Sequence, residues 1–232
     1  ANDRPVRVAL ILPSSNTVME NDLHRWLPKD RYSVHTDRMY LVETTREAEI
    51  AMIEKYAPAA AADLGTTLPD LLVFGCTSGG SLFGLDYDAR VCAGLGQKAN
   101  CEVMGVVTAA AAALERRGSR KVAVITPYIE ELTSAVAKAL ASPDREIVAA
   151  HGMGISVNVE LADPTPRQIV DFARGKLEGC DFDTLFVSCT NFRAMDAMPL
   201  LEEAFGKPVV TSNSAIVEAI RLRIEGPQFA TA

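Results

Sequence analysis

Two cysteines carry the first chemical suggestion in this chain. Cys76 lies in Leu71-Leu72-Val73-Phe74-Gly75-Cys76-Thr77-Ser78-Gly79-Gly80, and Cys189 lies in Leu185-Phe186-Val187-Ser188-Cys189-Thr190-Asn191-Phe192. Each stretch is an apolar run, then a small residue, then Cys-Thr. Such a run reads as a central parallel strand. Open α/β sheets place their ligand crevices just past the carboxyl ends of such strands. Cysteine is the most nucleophilic side chain near neutral pH, with a free pKa of about 8.5. Backbone N–H groups at the start of a following helix are expected to favour its thiolate. Two thiols on opposite sides of a small substrate have two uses. One could take a proton while the other gives one, which inverts a stereocentre. Alternatively, one thiolate could add to an activated double bond while the other manages the proton. Cys92, Cys101 and Cys180 lie at no matched strand end and read as packing residues.

The residues around the pair fit a small acid. Thr77, Ser78, Gly79 and Gly80 offer hydroxyls and unhindered N–H groups as a cradle for one carboxylate. Thr190 and Asn191 could hold a second. Asn16, in the loop Pro13-Ser14-Ser15-Asn16, and Tyr128, after Pro127, occupy equivalent positions past the first strand of each half. Asn158 lies near the end of a later strand. Such donors stabilise the enolate-like carboxylate that forms when an α-proton leaves. Asn16 reads equally well as a helix cap, and Tyr128 as a packing residue. His24, His35 and His151 share no spacing. The chain has no G-x-G-x-x-G after a strand and no P-loop, so no cofactor is expected. It has no Cys-x-x-Cys or paired-His spacing, so no metal is expected either.

The elements that must position these residues occur twice. Arg7–Leu12, Tyr32–Leu41, Leu71–Gly75 and Val103–Val107 read as strands with helical patterns between them. From Lys121 the order restarts, with strands at Val122–Thr126, Glu146–Ala150, Thr184–Val187 and Pro208–Thr211 and a final helix over Ala215–Arg223. Cys76 lies 63 residues past Pro13, and Cys189 lies 62 past Pro127. The expected fold is therefore α/β, in two pseudo-symmetric lobes, each a small parallel sheet flanked by helices, with the site between them. The expected division is 1–118 and 119–215, followed by a C-terminal helix and tail over 216–232 that packs back on the first lobe.

Composition narrows the partners. The 232 residues are 48% hydrophobic and 23% charged, ordinary values for a globular protein. A formal charge of −7 argues against nucleic acid or an anionic membrane. No run of 18 apolar residues suggests a membrane span. Ala1–Pro5 lacks the charged-then-apolar order of a signal peptide. Five cysteines argue against a disulfide framework. A cytoplasmic protein with a small mono- or dicarboxylate substrate is expected.

On these residues the chain resembles the aspartate/glutamate racemase superfamily. The loop Leu12-Pro13-Ser14-Ser15-Asn16-Thr17-Val18-Met19-Glu20, both Cys-Thr motifs, Thr126-Pro127-Tyr128 and Lys207-Pro208-Val209-Val210 are similar to the maleate cis-trans isomerase branch. Ectoine-utilisation protein A and arylmalonate decarboxylase are its relatives. The resemblance runs from Val6 to about Arg223. It implies that Cys76 attacks maleate to form a succinyl-cysteine-like intermediate. Rotation and elimination then release fumarate, while Cys189 supplies and recovers the proton. It also implies substrate contacts at Asn16, Cys76–Ser78, Tyr128, Asn158, Thr190 and Asn191, and a homodimer or homotetramer. Thr77-Ser78-Gly79-Gly80 departs from the apolar residues that follow the first cysteine in maleate isomerases and looks more like the ectoine-utilisation members. The decarboxylase keeps one of the two cysteines, so a pair disfavours decarboxylation. Two alternatives stay open: a racemase or epimerase of an amino acid or ectoine-derived acid, using the cysteines as two bases, and a non-catalytic small-molecule binding protein.

Overall fold

The computed structural model describes residues 4–226, so the expected tail beyond Gly226 lies outside the described residues. The first lobe contains β1 (Val6–Pro13), α1 (Met19–Trp26), β2 (Tyr32–Met39), α2 (Arg46–Ala51), a π-helical segment (Met52–Tyr56) and α3 (Ala57–Gly65). It continues with β3 (Leu71–Phe74), α4 (Thr77–Ser81), α5 (Leu85–Ala99), β4 (Val103–Gly105) and α6 (Val106–Arg116). The second lobe contains β5 (Lys121–Tyr128), α7 (Glu130–Leu140), β6 (Glu146–Ile155), a 3-10 turn (Asn158–Ala162) and α8 (Pro166–Leu177). It ends with β7 (Thr184–Val187), α9 (Ala194–Phe205), β8 (Val209–Thr211) and α10 (Ser212–Glu225).

Both sheets are parallel and share one order, β2-β1-β3-β4 and β6-β5-β7-β8. The two-lobe α/β fold read from the repeat is the fold observed. The continuous apolar runs follow from strands covered on both faces. In β1, Val8, Leu10 and Leu12 face the core shared by the two lobes, while Ala9 and Ile11 face a second core under α3 and α5. The shared core also takes in residues of α6, β5, α7, β7 and α10, so the lobes meet through apolar packing. Each fully buried Leu or Val there contributes about 1.5–3 kcal/mol.

Some boundaries differ from those expected, as β6 runs on to Ile155 rather than ending at Ala150. Val106 and Val107 begin α6 rather than end a strand. The Asp88 carboxylate lies against Gly105 and accepts from the Thr108 hydroxyl at 2.6 Å, placing an anion at the helix start. Pro58 is accommodated at the start of α3, directly after the π-helical segment, where its missing N–H costs no helix bond. The last helix begins at Ser212, ahead of Ala215, because Thr211 and Ser214 form a reciprocal cap. That helix packs on α6 and α1 of the first lobe. Among the described residues, no helix is long and apolar enough to cross a membrane.

Candidate active site

Strand order explains where the expected residues meet. In each sheet the chain leaves the first strand in one direction and returns on its other side, so a crevice opens past the paired strand ends. In the first lobe those ends, β1 and β3, deliver Asn16 and Cys76. In the second, β5 and β7 deliver Tyr128 and Cys189. The two crevices abut at the seam between the lobes, and the seam is closed. Cys76 is 3% exposed and Cys189 4%, and Tyr128, Asn16, Thr77, Ser78, Asn158, Thr190 and Asn191 are also buried.

Cys76 caps α4 through its sulfur, which accepts from the Gly79 N–H at 3.4 Å. The thiol lies 3.6 Å from Glu49 Oε2 and 3.6 Å from the Ser78 hydroxyl. Ser78 in turn donates to Glu49 Oε1. Gly79 is glycine because of this arrangement. A Cβ there would come within 2.7 Å of Glu49 Oε2 and 3.2 Å of the Cys76 sulfur. Burial pushes the Cys76 thiol well above its ordinary range, and Glu49 pushes it further. The expected lowering by helix N–H groups is therefore overturned at rest. The Gly79 N–H does favour the thiolate, but desolvation and a neighbouring carboxylate outweigh it. Burial also drives Glu49 up to about 7, against the bonds from Ser78 and Cys76 that favour its charged form.

Cys189 has a different setting. Its φ is +103°, a conformation that side chains with a Cβ rarely adopt. Its N–H donates to Ser212 Oγ at 3.0 Å, and its sulfur accepts from the Asn191 N–H at 3.2 Å. The Tyr128 hydroxyl lies beside the same sulfur and favours its thiolate. Burial pushes this thiol up to about 12, although Tyr128 and the Asn191 bond pull it down. Strain of roughly 1–3 kcal/mol is typical of such a residue and persists only where surrounding contacts hold it.

The expected polar contacts form a net that ties the lobes together. Asn16 accepts from the N–H groups of Val18 and Met19 at 3.0 and 3.1 Å at the entry to α1, and it donates to Thr190 Oγ1 at 3.0 Å. Thr190 donates onward to the Gly75 carbonyl at 3.0 Å. Asn191 accepts from the Thr17 N–H at 2.8 Å and donates to the Asn158 carbonyl at 2.6 Å. Asn158 donates to Ser15 Oγ at 2.8 Å and accepts from Thr44 at 3.3 Å. Thr77 donates to Ser212 Oγ at 2.8 Å.

Glu49 and Ser212 were missed. Ser212 follows β8 in Thr211-Ser212-Asn213-Ser214, and that small polar run past a strand end is the signal that could have found it. Glu49 lies on the helical face of Met52 and Ile53, at i+3 and i+4, and all three are buried. A carboxylate on an apolar stripe was the signal, masked by the acidic first turn that any helix tolerates. A cavity of about 900 Å³ lies elsewhere, lined by residues of α5, α6 and α10 that include Asp88, Cys92 and Thr108. None of the expected site residues lines it. The described residues hold no group of three or more His, Cys, Asp or Glu arranged for a metal ion.

Known proteins are similar to this chain in sequence and share its fold. A maleate isomerase from Pseudomonas putida is 27% identical over 226 residues, spanning 92% of this chain and 90% of that protein. An arylmalonate decarboxylase from Bordetella bronchiseptica is 31% identical over 117 residues, about half of each chain (50% and 49%). A solved Nocardia farcinica maleate cis-trans isomerase, a cysteine-to-serine mutant with a covalently bound succinylcysteine intermediate, superposes with a TM-score of 0.88 at 21% identity, over 97% of this chain and 94% of that one. The arylmalonate decarboxylase family model matches residues 8–231. With that match across nearly its whole length, the chain belongs to the arylmalonate decarboxylase family.

Proposed function

We propose that this chain is a cofactor-independent isomerase of a small dicarboxylate, converting maleate to fumarate. The observation that carries the reading is the pair of buried thiols at the two strand crossings, one beside a carboxylate and one beside a tyrosine hydroxyl. Cys76 adds to the double bond, and Cys189 gives a proton to the adjacent carbon. Rotation about the new single bond, return of that proton to Cys189 and expulsion of the Cys76 sulfur yield the trans acid. A proton donor must hold its proton until the carbanion forms, and a thiol pushed up to about 12 does so. The hydroxyls of Thr77, Thr190 and Tyr128, the backbone N–H of Ser78 and the amides of Asn16, Asn158 and Asn191 would receive the two carboxylates, the side chains exchanging bonds they now make within the seam. The relatives named maleate isomerase support this substrate.

A two-base racemase would need one thiol to rest as thiolate, and burial of both works against it. The same reading places the protein in the cytoplasm as a homodimer or homotetramer, which light scattering would test.

The two cysteines should fail differently. With maleate, Cys76→Ser should lose at least about a thousandfold in kcat and take up no label. Cys189→Ser should instead gain the mass of one maleic acid on Cys76 and release fumarate slowly. Full turnover by Cys76→Ser, followed by NMR, would sink the assignment.

A further inference from the structure

We infer that Glu49 is the general base that takes the Cys76 proton as the sulfur attacks, with Ser78 holding the carboxylate in place. The inference rests on Cys76 being the nucleophile, as proposed above.

Glu49 is fully buried, and among the described residues no cation pairs with it. Burying an unpaired carboxylate is costly. Glu49 lies in the first turn of α2, but a purely structural buried carboxylate would call for a cation, as at Glu225 beside Arg31. Glu49 instead spends its oxygens on a hydroxyl and on the nucleophile, with Oε1 on Ser78 and Oε2 3.6 Å from the Cys76 sulfur. The backbone accommodates it, since Gly79 leaves the space its carboxylate occupies.

The charge balance of the pocket points the same way. The titratable groups that feel Glu49 are Cys76 from the α4 side, Tyr87 from α5, and Tyr128 and Cys189 from the second lobe. Each becomes an anion on ionising, and Glu49 opposes each ionisation. Arg46, on the same helix, turns away to Glu131 and the Phe83 ring. A second negative charge is therefore resisted, whereas moving a proton from Cys76 to Glu49 shifts one charge and adds none. A carboxyl driven to about 7 is half ionised at neutral pH, where a general base works best.

The step balances. The Cys76 S–H bond breaks, and its proton forms an O–H bond on Glu49 Oε2. The sulfur pair forms the C–S bond to one alkene carbon, and the π pair moves to the neighbouring carbon, which Cys189 protonates. After rotation Cys189 retrieves that proton, the C–S pair returns to sulfur, and sulfur regains its proton from Glu49.

The test needs no diacid. Alkylation of Cys76 by iodoacetamide is followed by peptide mass spectrometry from pH 5 to 10. In the wild type the rate should rise with a midpoint near Glu49's value of about 7. In Glu49→Gln the rate at pH 7 should fall about a hundredfold, and the rise should move into the thiol range. Glu49→Asp should restore a rise on the acid side of that range. Ser78→Ala removes a bond to the charged carboxylate and should move the midpoint upward, which carries the test if Glu49→Gln does not fold. A Glu49→Gln profile that superimposes on the wild type, or an unmoved midpoint in Ser78→Ala, overturns the base. A wild type with the Glu49-dependent profile but no maleate turnover refutes the substrate and leaves the base standing. Maleate turnover without that profile refutes the base alone.

Discussion

The two lobes repeat one sheet order and one Cys-Thr motif, yet they give their cysteines opposite surroundings. Cys76 has an ordinary extended φ of −139° and runs directly into a helix. Cys189 has a φ of +103°, and its next helix waits until Ala194. The helices reached after the second strand of each lobe sharpen the contrast. Thr45 caps α2 and Thr165 caps α8. Four residues past the first cap stands Glu49, and four past the second stands Ile169, both fully buried. Likewise the third residue past Cys76 is Gly79, which admits Glu49, whereas the third past Cys189 is the buried Phe192. Equivalent backbone positions thus became unlike chemical positions through a few side chains. A sulfur beside a carboxylate has somewhere to send its proton. Among the described residues, the Cys189 sulfur instead meets the Tyr128 hydroxyl and the Asn191 N–H, with no carboxylate bonded to it.

Breaking the Glu49 side of this comparison should produce the largest change in stability. Its folded value of about 7 exceeds the ordinary 4.5. A carboxyl raised on folding contributes stability that is fully present below pH 4.5 and is lost as pH rises through 7. The difference corresponds to roughly 3 kcal/mol. Glu49→Gln should therefore be more stable than the wild type at pH 8 by up to about 3 kcal/mol and similar to it at pH 4. Urea unfolding at the two pH values checks this, and an unchanged difference between the proteins would exclude a buried ionised Glu49.

The backbone half of the comparison predicts a reversal of sign. At Cys189 a glycine relieves the positive φ, so Cys189→Gly should be more stable than Cys189→Ala by about 1 kcal/mol. At Cys76 the φ is ordinary, so Cys76→Gly should be less stable than Cys76→Ala by about 0.5–1 kcal/mol. Thermal denaturation of the four variants reads both signs, and the same order at both sites would remove the backbone distinction. The smallest effect should come from Arg46, whose bond to Glu131 at 2.7 Å joins α2 to the second lobe at the surface. Both side chains are partly solvated, so Arg46→Ala should lose less than about 1 kcal/mol, and less still at high salt.

Much of this was legible in the chain because it is written locally. The strands are runs such as Leu71–Phe74 and Thr184–Val187, and burial on both faces makes such runs apolar throughout. Matched spacing from Pro13 and Pro127 exposed the duplication, since a repeated topology repeats its loop lengths. Cys76 and Cys189 could be chosen over the other three thiols because each follows such a strand. Asn16, Asn158, Thr190 and Asn191 could be singled out by position, but not the way they bond to one another across the seam. Those partners lie far apart in sequence, as with Asn16 and Thr190.

The chain by itself determined two parallel α/β lobes and a thiol at each strand end, because periodicity and strand-end chemistry are properties of neighbouring residues. Tertiary structure alone decided what each thiol can do. Glu49 reaches Cys76 from a helix 27 residues earlier, and Ser212 reaches Cys189 from one 23 residues later. Burial then raises the proton affinity of both sulfurs, and desolvation depends on everything that closes over a site rather than on the residues beside it in the chain.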